Sequence, residues 1–162
     1  MEFKNLIMER RSCRKYAASA EAAPIEEIIR EAQMAPSWKN TQTARCYVSK
    51  DLAKFLPEYN QGNTKDCSTF ILTTFVKGLS GNGVNDKWGA YDLGIHDAYL
   101  ILAAKNHGYD TLIMGMRDEE GIREYFNIPE SEEIMSVIAI GKAGCDMILR
   151  ERKPLSEVMK EV

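Results

Sequence analysis

The sequence predicts one α/β or α+β domain, and three observations carry that prediction. A chain of 162 residues fits a single domain and buries roughly two thirds of its unfolded surface. Segments with helical apolar spacing interleave with short runs of β-branched and aromatic residues, so helices and strands alternate along the chain. No internal repeat and no low-complexity linker divides it.

Taken in order, residues 2–10 place Phe3, Leu6 and Ile7 on one helical face, with Lys4, Glu9 and Arg10 elsewhere. Residues 17–23 are a connector of small residues, and Pro24 suits the first position of a second helix carrying Ile25, Ile28, Ile29 and Ala32. Pro36 and Ser37 break that helix, and residues 37–43 read as a polar loop. Residues 44–49 suit a short strand, and residues 51–55 a short helix halted before Pro57. Residues 58–66 are polar and read as irregular. Residues 69–76, Thr-Phe-Ile-Leu-Thr-Thr-Phe-Val, have the composition of a buried strand.

Three glycines and two asparagines make residues 78–87 a loop. Residues 88–107 form the longest helix, with Tyr91, Ile95, Ala98, Tyr99 and Leu102 on one face and Gly108 as its left-handed stop. A stripe of this kind reads as core or subunit interface. Residues 109–116 follow as a strand, and Asp118 caps a helix running to Phe126. Residues 136–141 are a last strand, and the tail from Cys145 is basic at residues 150–153 before turning at Pro154.

Composition narrows the function. Hydrophobic residues make up 44% and charged residues 28%, ordinary for a globular protein. Lys and Arg total 21 against 24 Asp and Glu, a formal charge of −3. That argues against a nucleic-acid binder, which needs a basic field, yet it leaves room for a local cationic pocket. The longest apolar runs, residues 70–76 and 98–104, are too short to span a bilayer. Residues 1–14 carry scattered charges and lack the apolar core of a signal peptide. A cytoplasmic protein without membrane or nucleic-acid partners is expected. Cys13, Cys46, Cys67 and Cys145 stand singly, and His96 and His107 are the only histidines. A closed zinc site needs about four ligands in paired spacing, which this pattern does not offer. Reduced thiols, each a small core hydrophobe, are expected.

Two stretches carry chemistry. Arg10-Arg11-Ser12-Cys13-Arg14 puts three guanidinium groups and a hydroxyl just past a helix. Guanidinium forks match phosphate oxygens two at a time, although a solvated basic helix end accounts for the run equally well. Arg150, Arg152 and Lys153 form a second basic group at the far end of the chain. Ala35-Pro36-Ser37-Trp38-Lys39-Asn40-Thr41-Gln42 offers two amides beside an aromatic. Amides can read the edge of a heterocycle because each supplies a donor and an acceptor.

In combination these features resemble the FMN-dependent nitroreductase family, in small, short-chain form. The resemblance rests on R-R-S-x-R, then A-P-S-x-x-N-x-Q, then Tyr91-Asp92-Leu93-Gly94-Ile95 with Leu102-Ala103-Ala104 and Gly108-Tyr109. Leu112-Ile113-Met114-Gly115-Met116, residues 138–144 and residues 150–158 continue it in the family's order. The resemblance implies an α+β fold: a central, mostly antiparallel sheet flanked by helices, in an intertwined homodimer with FMN at the interface. Residues 1–162 would be one FMN-binding domain, with residues 143–162 an arm on the partner subunit.

Carried over position by position, the resemblance implies that Arg10, Ser12 and Arg14 contact the phosphate, ribityl chain and pyrimidine edge. Arg11 lies in the same turn, contributing mainly backbone, and Arg150 and Arg152 complete the phosphate site. Pro36, Ser37, Asn40 and Gln42 reach the flavin of the other subunit. Backbone N–H groups near Met114 and Gly115 face the flavin N5 and O4 edge. The implied activity is hydride transfer from NAD(P)H through flavin N5 to nitroaromatic, quinone or related acceptors, in a ping-pong cycle. The flavin carries that chemistry, so no catalytic side chain is assigned; Arg14 would favour flavin reduction by charge.

The chain departs from the family at named places. Thr43 stands where many relatives have proline, and Trp38 falls earlier in its loop than the usual aromatic. Met114 occupies a position that is acidic in some relatives, residues 52–86 are short, and either Asn60 or Asn63 could be the flavin-contacting asparagine. The short middle segment motivates an alternative: a flavin- or ligand-binding dimer with little turnover. A generic phosphoanion-binding domain is a third reading, needing only the arginines.

Overall fold

The computed structural model describes residues 2–18, 21–83 and 85–161. The strands β1 (Ala44–Val48), β2 (Thr69–Val76), β3 (Asp110–Met114) and β4 (Glu132–Gly141) form one sheet in the order β1-β2-β4-β3. All three pairings are antiparallel, and β2 carries an irregularity between Thr73 and Thr74. The two central strands are buried on both faces, which is why their sequences read as apolar runs rather than alternations.

Strand periodicity divides the core in two. Phe70, Leu72, Val137 and Ala139 turn to one face, with Leu112, Met114, Leu52, Leu56 and Ile122. Ile71, Ile138 and Ile140 turn to the other, against Ile28, Ala32, Leu100 and Ala104. The helices α2 (Ile25–Ala32) and α4 (Lys87–Asn106) therefore cover one face. The other face is covered by α5 (Glu119–Phe126) and a 3₁₀ segment, Lys50–Phe55. Two shorter helices complete the set before the tail: α1 (Phe3–Glu9) and α3 (Glu58–Asn63). A last turn, α6 (Leu155–Val158), lies on the tail itself. Among the described residues no helix is long and apolar enough to cross a membrane.

Most boundaries fall where the residues place them. Gly108 takes φ +78° at the end of α4, and Asp118 accepts from the Gly121 N–H at the start of α5. Two stretches differ: β4 begins at Glu132, four residues before the expected 136–141 run, and the first part of 58–66 is helical, beginning directly after Pro57. Gln61 donates to the Leu56 carbonyl and Thr64 to the Asn60 carbonyl, so side chains satisfy ends that the pattern left open. His107 pairs with Glu31 at 2.9 Å, tying α4 to α2. Cys145 is exposed rather than a core residue, while Cys13 is fully buried.

The two chain ends are brought together by backbone pairing. Ser12 bridges to Thr111 in parallel, and the Cys13 N–H donates to the Thr111 carbonyl. Tyr16 bridges antiparallel to Ala143, and the Gly144 N–H donates to the Lys15 carbonyl. A Cβ at Gly144 would lie 2.6 Å from the Tyr16 carbonyl, so the close approach needs glycine here.

Thr43 is 1% exposed, and its Oγ1 finds no hydrogen-bond partner among the described residues. A buried, unpaired hydroxyl costs free energy that valine of the same shape does not. Thr43→Val is expected to gain on the order of 1 kcal/mol in urea unfolding. A fall in stability would mean that the hydroxyl is bonded in solution.

Candidate functional site

Arg10, Arg11, Ser12 and Arg14 line one cavity of about 320 Å³, and Arg150 and Arg152 close it from the far end of the chain. The two basic groups, distant in sequence, meet because α1 delivers one to the edge of β3 and the segment after β4 delivers the other. None of these five arginines forms an ion pair among the described residues, and Asp146 is the single acidic residue in the lining. Burial, then the positive fields of Arg152 and Arg11, pull the Arg10 guanidinium below its usual pKa. Such crowding of like charge is relieved by an anion. The Arg11 guanidinium folds back onto the Arg10 carbonyl at 2.7 Å. Cys145, Met147 and Ile148 complete the lining; no local pattern marked them, because the tail's path sets their position.

At the other end of β3 the Met114 side chain turns into the core, 4% exposed, so only its backbone is available outside. Gly115 follows as an open ledge, where an added Cβ would meet nothing within 4 Å. The ledge lines a wider cavity of about 580 Å³ between residues 54–57 and 115–119. Arg117 underpins it by donating to the Gly115 and Ile134 carbonyls and pairing with Glu119 at 2.7 Å. Nothing in the local sequence singled out Arg117. Thr111, beside Ser12, and Gly115 are four residues apart on an extended strand, about 13 Å. A ligand using both places must be elongated, with an anionic end at the arginines.

The third group stands apart. Pro36, Ser37, Asn40 and Gln42 are in the loop before β1 and do not line the arginine cavity. Lys39, Asn40 and Gln42 all take positive φ, at 49°, 58° and 49°. The Ser37 hydroxyl accepts from the Gln42 N–H, and Arg45 donates to the Gln42 carbonyl. The Lys39 ammonium lies 4.5 Å from the Trp38 ring centroid. Asn60 is buried, with its carbonyl engaged by Thr64, and neither Asn60 nor Asn63 lines the arginine cavity. Within one chain, then, Ser12 and the five arginines converge and the amide loop lies elsewhere.

The arginine cavity borders an apolar surface. A neighbouring cavity of about 430 Å³ shares Arg10, Arg11, Arg150 and Arg152, and its other walls include Ile7, Met8, Ala98 and Leu102. Tyr91 and Tyr99 on α4 are 62% and 42% exposed. On the tail, Ile148, Leu149, Leu155 and Val158 are each exposed by about two thirds.

The chain is similar to known proteins in sequence and in fold. A sequence profile described as the Nitroreductase family matches residues 7–60 and 55–142. YdgI of Bacillus subtilis (strain 168), provisionally named an NAD(P)H nitroreductase, is 25% identical over 201 aligned positions, covering 97% of this chain and 96% of its own. A nitroreductase family protein from Streptococcus pneumoniae TIGR4 superposes with a TM-score of 0.87 at 16% identity, covering 99% of this chain and all of that one. A provisionally named nitroreductase from Exiguobacterium sibiricum 255-15, solved in complex with FMN, gives a TM-score of 0.86 at 23% identity, covering 100% and 98%.

Proposed function

Since the chain belongs to the nitroreductase family, we propose that it is an FMN-dependent oxidoreductase, taking electrons from NAD(P)H and delivering them to nitroaromatic, quinone or related small acceptors. The observation that carries this reading is the set of five arginines, without ion pairs among the described residues, around one cavity, joined by β3 to the open ledge at Gly115. The donor set suits FMN: guanidinium forks for a phosphate, and a glycine ledge for a flat ring. The FMN-bound Exiguobacterium neighbour and the name given to YdgI support the same assignment.

FMN, when bound, supplies the acceptance and release of hydride at its N5. The chain's residues do the holding. Arg10, Ser12 and Arg14 would contact the phosphate, ribityl chain and pyrimidine edge, Arg150 and Arg152 would complete the phosphate site, and backbone N–H groups near Met114 and Gly115 would face the ring. Arg11 contributes its backbone, with its side chain folded away. No side chain serves as nucleophile or general base.

The working unit is a homodimer in which Pro36, Ser37, Asn40 and Gln42 of one subunit complete the site of the other, and residues 143–162 lie as an arm on the partner. Support comes from the apolar outer face of α4 and the exposed apolar tail, both bordering the arginine cluster. Gly94 adds to it. Helical glycine costs about 1 kcal/mol against alanine, and a Cβ at Gly94 would meet nothing within 4 Å in its own chain. A second chain packed closely against α4 gives that glycine a reason.

The visible spectrum of the purified protein, before and after anaerobic NADH or NADPH, tests this function. A flavin spectrum that bleaches is expected. A colourless protein that takes up no added FMN would overturn it. One observation favours a second reading, a flavin-binding dimer with little turnover. The 201-position alignment is longer than this chain, so the relative has segments absent here. Steady-state NAD(P)H oxidation with a nitroaromatic or quinone separates the two, and absence of turnover by FMN-loaded dimer would favour the second.

A further inference from the structure

The amide loop is held in a costly backbone shape. Three of its residues with side chains, Lys39, Asn40 and Gln42, sit in the left-handed region, where a Cβ crowds the following carbonyl and the conformation is costly. Contacts inside the loop, Thr41 to the Trp38 carbonyl and Ser37 to the Gln42 N–H, brace it locally. Its hydrogen bond to a long helix is made by Asp92 on α4. The Asp92 carboxylate accepts from the Trp38 N–H at 3.1 Å and from the Ser80 hydroxyl at 2.6 Å, both on Oδ2.

Asp92 is 7% exposed and Ser80 3% exposed, and no cation pairs with Asp92 among the described residues. A buried carboxylate without a cation is unfavourable unless its hydrogen bonds are good. Both bonds run to segments flanking the helix, the loop at 37–42 and the loop at 78–83. The Trp38 N–H opens a 3₁₀ turn, Trp38–Asn40, where an N–H has no partner within the turn. Asp92 therefore caps, from 54 residues away, the turn that presents Asn40.

We propose that Asp92 is a positioning residue: through the Trp38 N–H and the Ser80 hydroxyl it fixes the 37–42 loop on α4, and so sets the aim of the Asn40 and Gln42 amides at the flavin of the second subunit. This rests on the dimeric, FMN-binding function proposed above. Asp92 touches no cofactor in this scheme. Its effect passes through the loop.

The test compares Asp92→Ala and Asp92→Asn in the full-length dimer. Asparagine keeps an oxygen that can accept from both donors; alanine keeps nothing. Asp92→Ala is expected to weaken FMN binding, read by quenching of FMN fluorescence, about tenfold or more. Amide hydrogen exchange at Trp38, read on protein freed of flavin, is expected to speed up in the same variant. Asp92→Asn is expected to restore both to within about threefold of wild type. Should Asp92→Ala fail to fold, Ser80→Ala removes the shorter bond and is expected to move both readouts in the same direction. Wild-type FMN affinity in Asp92→Ala overturns this inference alone, as does equal impairment of the alanine and asparagine variants. A wild-type chain that binds no FMN overturns the proposed function and this inference together.

Discussion

Arg10→Ala combined with Arg152→Ala is expected to weaken FMN binding by at least about a hundredfold while the folded dimer persists. Hydrogen bonds to charged groups contribute roughly 1.5–3 kcal/mol each, and tenfold in affinity is about 1.4 kcal/mol. Two lost guanidinium groups exceed the hundredfold mark even at the low end of that range. The loss should fall on binding and spare folding. Neither arginine makes an ion pair among the described residues, and each raises the electrostatic cost of the other. The Arg10 guanidinium is already held below its usual pKa, by burial first and by Arg152 second. Removing Arg152 alone therefore relieves Arg10 in the empty protein, so the single variants are not expected to add up to the double. Fluorescence titration with FMN measures the affinity and a thermal melt of flavin-free protein measures the fold. Unchanged affinity would refute the phosphate assignment. Equal competition by inorganic phosphate, with no gain from the ring, would favour a generic phosphoanion site.

The same contrast between local and distant effects explains what the sequence made legible. Residues 69–76 read as a buried strand because periodicity and composition are properties of the segment itself, and β2 occupies that stretch. The Arg10–Arg14 turn was visible for the same reason. Its union with Arg150 and Arg152 was implied only by family resemblance, since the bridges Ser12 to Thr111 and Tyr16 to Ala143 that bring the ends together are long-range. Residues 58–63 lack apolar spacing, and their helix depends on Gln61 and Thr64 side chains reaching backbone carbonyls. Asp92 is an ordinary acidic residue in a helical pattern until Trp38 and Ser80 are folded against it. Arg117 is equally silent until the Gly115 and Ile134 carbonyls converge on it. Cys145 was expected in the core on the habits of its residue type, yet the tail carries it into the arginine cavity.

Gly94→Glu is expected to leave a folded chain that no longer dimerises and, for that reason, no longer retains FMN. Among the described residues nothing lies near the Cβ position of Gly94, so a longer side chain has room and helix propensity improves on leaving glycine. In the proposed dimer the obstacle lies outside the chain. Gly94 and Ala98 lie on the face of α4 that carries exposed Tyr91, so a close second helix would meet small residues there. Placing a carboxylate on each subunit in that contact buries two like charges without partners, a penalty of several kcal/mol. The dimer dissociation constant should rise at least about a thousandfold. Gly94→Ala is the control, since a methyl group tests crowding without charge. Sedimentation velocity reads the mass, circular dichroism the fold, and FMN fluorescence the retention. A Gly94→Glu protein that sediments as a dimer with wild-type FMN affinity would place the interface on another face. A Gly94→Glu monomer that holds FMN as tightly as wild type would mean that the arginine cavity and the Gly115 ledge suffice. The loop at 37–42 would then have no part in holding the flavin.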